Sequence, residues 1–72
     1  MNLMQVEEGK EYVIASIDTN DEELESFLFS LGCYSGERMT VIKRRKSGCI
    51  VAIKDGRYSI DRQLSELIHM VT

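Results

Sequence analysis

Residues 19–33 read Thr19-Asn20-Asp21-Glu22-Glu23-Leu24-Glu25-Ser26-Phe27-Leu28-Phe29-Ser30-Leu31-Gly32-Cys33. Leu24, Phe27, Leu28 and Leu31 recur at i, i+3, i+4 and i+7, the spacing that brings side chains onto one face of an α-helix. Thr19 with Glu22, and Asn20 with Glu23 one residue later, have the spacing of a capping box, which satisfies backbone N–H groups that a helix start leaves unpaired. Acidic residues crowd the first turn, where the helix dipole favours them. Gly32 stands where a left-handed C-terminal cap is needed, and Cys33 is placed for the accompanying contact back to Leu28. The stretch predicts one amphipathic helix.

Outward from this helix the pattern is that of strands. Upstream, residues 1–9 end at Gly9 with Leu3 and Val6 as anchors. Tyr12-Val13-Ile14-Ala15-Ser16-Ile17 then reads as a strand, with Val13, Ala15 and Ile17 sharing a face. Downstream of Gly36, Arg38 to Arg45 alternates, Met39 and Val41 on one face and Ile42 on the other. Ser47-Gly48 supplies a turn. Cys49-Ile50-Val51-Ala52-Ile53 is nearly continuous in apolar residues, as in a strand covered on both sides. Asp55-Gly56 signals a type I′ hairpin, because glycine accepts positive φ. Arg57 to Ile60 returns, Asp61 caps a short helical turn through Glu66, and Ile68 to Val71 closes the chain. The expectation is a mainly β protein: a small five-stranded barrel with a helix after the first strand and a helical turn before the last. A barrel also removes exposed sheet edges.

A length of 72 residues gives one domain, residues 1–72. A chain this short buries only about 60% of its unfolded surface, which leaves little room for a deep substrate cleft. Nine Lys and Arg against twelve Asp and Glu give a net charge of −3, which argues against nucleic acid as a partner. No apolar run approaches the roughly 20 residues that cross a bilayer, and the N-terminus lacks a signal-peptide core, so the expectation is a cytoplasmic protein without membrane insertion. Cys33 and Cys49 are far apart and read as reduced thiols.

Three patches of this chain resemble the FeoA family. The first is Leu3, Val6 and Gly9. The second, Leu31-Gly32-Cys33-Tyr34-Ser35-Gly36-Glu37-Arg38-Met39-Thr40-Val41, is similar to the family's "L-G-(apolar)-x-x-G-x-x-(apolar)-x-V" segment, although Ser35 stands where a proline is frequent. The third, Asp55 to Ile68, looks like its turn, strand and "R-x-x-A/S-x-x-I" ending, with Arg62, Ser65 and Ile68 in the matching positions. The segment before Cys49 lacks the family's usual proline. The resemblance implies an SH3-like barrel acting with a membrane ferrous-iron transporter that carries a cytosolic GTP-binding domain. Related domains form the C-terminal part of some iron-dependent repressors, and family signatures also associate the domain with transition-metal binding.

The residues themselves set limits on chemistry. Cys33, Cys49 and His69 are the soft-ligand inventory, but none lies at CxxC or helical pair spacing, so structural roles are expected and no metal or cofactor is assigned. The single histidine has no placed acid partner, and no catalytic residue is assigned. No GxxxxGK[ST] loop is present for GTP. Lys43-Arg44-Arg45-Lys46 ends a strand and solvates a hairpin; the alternative is contact with an acidic partner surface or lipid headgroups. Phe29 lies about 140° around the helix from Leu24, outside the docking stripe. Cover by Met1, Leu3 and Met4 is favoured; an exposed Phe29 would anchor a partner or a weak homo-oligomer. Candidate contacts for the cytosolic domain of a ferrous iron transporter are Phe29, Tyr34, Arg44, Arg45 and Tyr58. The rival reading is a metal-sensing or regulatory SH3-like domain.

Overall fold

The computed structural model describes residues 1–71. Its elements are β1 (Glu11–Ile17), α1 (Glu22–Leu31), β2 (Arg38–Arg45), β3 (Gly48–Ile53), β4 (Gly56–Asp61), α2 (Arg62–Ser65) and β5 (Ile68–Met70). The five strands form one antiparallel sheet in the order β4-β3-β2-β1-β5. Strand β1 serves two partners: Glu11–Val13 pair with β2, and Ile14–Ile17 pair with β5. The sheet therefore turns at the middle of β1, and one small core is enclosed.

That turn corrects the expected face of β1. Val13 is 37% exposed and Ala15 is exposed, whereas Ile14 is buried and Tyr12 packs on the core. Between Ile14 and Ser16 the register with β5 shifts. An added residue at such a bulge changes which side chains point inward, so Ile17 packs on the core together with Ile14 rather than opposite it. The period of two holds on each side of the bulge and fails across it.

Helix α1 forms over the expected residues with a different start. Asp21 is the N-cap, accepting from the N–H groups of Glu23 and Leu24 at 3.0 and 3.2 Å. Thr19 Oγ1, two residues before the cap, instead accepts from Asp21 N–H. The C-terminus follows expectation: Gly32 has φ 90°, its N–H donates to Phe29 C=O, and Cys33 N–H donates to Leu28 C=O at 2.9 Å. This is a Schellman cap, and Leu28 and Cys33 are both fully buried in the core.

The apolar stripe of α1 is narrower than expected. Leu28 is buried and Leu24 packs beside it, but Phe27 is 54% exposed and Phe29 64% exposed. Residues one step either side of a docked position lie about 100° away around the helix, too far to enter the same contact. The cover expected for Phe29 is also absent, because Leu3 is fully buried in the core and Met4 packs against it from the same arm.

Leu3 and Val6 anchor the N-terminal arm as expected, both essentially without solvent exposure. The arm is also held by backbone: Leu3 N–H donates to Ser65 C=O, Met70 N–H to Met1 C=O, and Gly9 N–H to Val41 C=O. Met39 and Val41 point into the core while Ile42 faces out. On β3, Cys49, Val51 and Ile53 are buried and Ile50 and Ala52 only half-buried, so this strand is covered fully on one side rather than on both.

The β3–β4 connection departs from the type I′ expectation. Its two central residues are Lys54 and Asp55, the positive φ of 53° falls on Lys54, and Gly56 already pairs with Ile53. A Cβ on Gly56 would lie 2.3 Å from the Tyr58 hydroxyl oxygen, so any larger residue there would displace the Tyr58 ring. Asp61 caps α2 by accepting from Leu64 N–H at 2.7 Å. Inside that turn the buried Ser65 hydroxyl donates to Asp61 C=O at 2.7 Å, which accounts for the one buried polar side chain of the described residues.

Candidate functional site

The C-terminal end of α1 and the β3–β4 turn meet at an open groove of about 550 Å³. The Schellman cap brings the chain sharply off the helix, so Tyr34 returns beneath Phe29. Their ring centroids are 4.8 Å apart and the planes tilt by 30°. Tyr58 enters from β4, its phenol lying over the bare Cα of Gly56. Buried Ile53 and half-buried Leu31 form the apolar floor.

Lys54 stands at the mouth. Its Nζ donates to the Tyr34 hydroxyl at 3.0 Å. That bond, then the nearby Glu37 carboxylate, pushes the lysine pKa above its ordinary value, so the ammonium stays charged. A general base needs a pKa near the working pH, and this group is moved away from it. The groove thus offers aromatic faces with one cation at its rim.

Three of the five residues expected at a partner surface, Phe29, Tyr34 and Tyr58, line this groove together. Arg44 and Arg45 do not. They sit at the β2–β3 end of the sheet, where Arg45 pairs with Gly48, and five residue steps along β3 separate that end from Ile53, about 17 Å at 3.3 Å per residue. Arg45 is exposed. Arg44 is half-buried and works inside the fold: its backbone N–H donates to Glu8 Oε2 at 2.6 Å, and Nη1 donates to Val6 C=O. It ties the N-terminal arm to β2.

Lys54 was missed from the sequence. Its position depends on a turn conformation that no residue pattern announced and on a contact 20 residues back in the chain.

The soft ligands are dispersed. Cys33 and Cys49 are buried free thiols, and burial pushes the Cys33 pKa from 9.0 up to about 11. Cys49 Sγ packs 3.7 Å from Met4 Sδ, and His69 Nε2 lies 4.0 Å from Asp18 Oδ2 at the surface. Among the described residues no three His, Cys, Asp or Glu side chains converge on a metal-sized site. No helix of the described residues is long and apolar enough to cross a membrane.

The family model for the FeoA domain matches residues 1–71. The chain belongs to the FeoA domain family. FeoA domains are linked to ferrous iron transport, as accessory domains rather than as a known enzyme family. Among solved structures, the crystal structure of an iron uptake regulatory protein, FeoA, has a TM-score of 0.84 at 18% identity, covering 97% of this chain and 92% of that one. The zinc-complexed FeoA of Stenotrophomonas maltophilia, a prokaryotic SH3 domain protein, has a TM-score of 0.83 at 14% identity, over 99% of this chain and 89% of that one. A manganese-dependent transcriptional repressor matches all of this chain, 100%, with 41% of its own length, at a TM-score of 0.87 and 23% identity. At these identities the likeness is one of fold, and it makes this FeoA domain an SH3-like one. No curated protein matches the chain.

Proposed function

We propose that this FeoA domain is a non-catalytic accessory of ferrous iron uptake that docks on the cytosolic part of a membrane iron transporter. The observation that carries the reading is the gathering of Phe29, Tyr34 and Tyr58 on one exposed groove, with Phe29 64% exposed. Large aromatic side chains held outside the core cost solubility, and such residues supply most of the energy in protein interfaces. Docking that favours one conformation of the transporter's cytosolic domain shifts its population by the difference in affinity for the two states.

The test is calorimetric titration of the chain against that cytosolic domain, with and without ferrous iron and guanine nucleotide. Saturable binding that Phe29→Ser weakens at least about tenfold is the expected outcome, since a buried aromatic anchor contributes about 2 kcal/mol or more. Absence of binding in every nucleotide state, together with stoichiometric metal uptake by the chain alone, would replace this reading with the metal-sensing one.

A further inference from the structure

Helix α1 carries a second surface feature contiguous with the groove. Glu22, Glu25, Ser26 and Phe29 line one concavity of the helix surface. Their spacing of i, i+3, i+4 and i+7 places them on a single face. Phe29 also lines the aromatic groove, so the two shallow depressions adjoin on either side of its exposed ring, and together they make one surface track. At 1.5 Å per residue, Glu22 and Phe29 are about 10 Å apart along the helix axis.

The track is electrically graded. Its helical end holds Glu22 and Glu25, with Glu23 and the cap Asp21 beside them, all exposed, and no basic residue anywhere in α1. Four formal negative charges outweigh the partial positive charge of a helix N-terminus, about half a unit. Its groove end holds aromatic rings and the Lys54 ammonium, which the Tyr34 hydroxyl keeps in place. A partner's cation is attracted at the first end and repelled at the second.

We infer that this track takes a basic, apolar-anchored segment of the partner protein, with an aromatic or large aliphatic side chain over Phe29, Tyr34 and Tyr58 and Lys or Arg side chains against Glu25 and Glu22. The inference rests on the docking reading above and adds the partner's chemistry and orientation. A helical segment meets the span with its cations one and two turns from the anchor, and an extended one with about three residues between them. Charge complementarity selects this occupant over an acidic one, which the four carboxylates would exclude.

The test uses the full chain and two 14-residue helical peptides. One carries a Phe anchor with Lys at four and seven residues from it; its twin carries Glu at those positions. Binding is followed by backbone amide NMR shifts. The basic peptide is expected to move signals of residues 22–34 and 54–58, and to bind at least tenfold tighter than the twin. Glu22→Gln with Glu25→Gln, which keep shape and helix, should remove most of that preference; Glu7→Gln with Glu66→Gln should not. Equal binding of the twins, or shifts confined to other surfaces, would overturn the inference. Against the transporter's cytosolic domain, binding that Phe29→Ser weakens but that neither the α1 pair nor 300 mM salt affects would also overturn it, leaving the accessory reading intact. Binding of the basic peptide with no binding of that domain would sustain the track and remove the transporter as its partner.

Discussion

Replacing Arg44 by alanine tests whether a cation at the end of β2 serves the fold or a partner. Its guanidinium donates to Val6 C=O, and Val6 is 1% exposed. The arm that Val6 belongs to also contributes Leu3, so a loosened arm uncovers two core side chains. A hydrogen bond with one charged partner contributes about 1.5–3 kcal/mol, and truncation removes this one while sparing the Arg44 backbone N–H bond to Glu8. The whole domain is expected to have about 4–11 kcal/mol of stability at this length. The loss is thus a large fraction, and it lowers the melting temperature by about 10–20 °C. Urea unfolding of Arg44→Ala and Arg45→Ala reads the contrast, because exposed Arg45 should stay within about 0.5 kcal/mol of the parent. Amide exchange at Leu3 and Gly9, whose N–H groups are bonded to Ser65 and Val41, should quicken in Arg44→Ala alone. An Arg44→Ala protein as stable as Arg45→Ala, with unchanged exchange, would refute the tie.

Gly48→Ala should be among the most damaging single-methyl additions: at φ 147° its Cβ would lie 2.1 Å from Ile60 C=O, so β3 and β4 must part at that end, at a cost of about 1–3 kcal/mol in overpacking visible as a lowered urea midpoint. Leu28→Ala should cost about 2–5 kcal/mol, whereas Phe27→Ala on the same helix should change little, because Leu28 is fully buried and Phe27 is 54% exposed. The Cys33 thiol, with its pKa raised from 9.0 to about 11, deprotonates in the unfolded chain first. The contribution of the protonated thiol is therefore complete below pH 9 and is lost progressively as the pH rises toward 11, read relative to Cys33→Ala measured at the same pH values. A parent-minus-variant difference that stays flat across that window would contradict the burial of the thiol.

Much of the fold was legible because it is written in local rules. The i, i+3, i+4, i+7 repeat located α1, Gly32 marked its end, and Asp61 marked the start of α2; each depends on chain geometry within a few residues. The errors share one origin, competition between such rules and distant contacts. Asp21, Asn20 and Thr19 are all good caps, and the helix takes Asp21 while Thr19 Oγ1 accepts from the Asp21 N–H. The bulge in β1 exists because that strand serves both β2 and β5, and no residue in Tyr12–Ile17 announces it. The candidate site was half legible for the same reason: Phe29, Tyr34 and Tyr58 each stood out as candidates, but they come from separate elements, and nothing local placed them together or brought Lys54 to them.

The sequence by itself determined the element order, the helix and its C-terminal cap, the anchoring of Leu3 and Val6, and the family patches. All of these follow from periodicity, turn chemistry and burial of apolar side chains. Only the tertiary structure decided that Phe29 is open, that Arg44 is turned inward to hold the N-terminal arm, and that three aromatic residues and a lysine share one groove. Those outcomes depend on which surfaces meet when a sheet turns around a core, and a side chain's neighbours across such a turn are set by register and bulges rather than by its place in the chain.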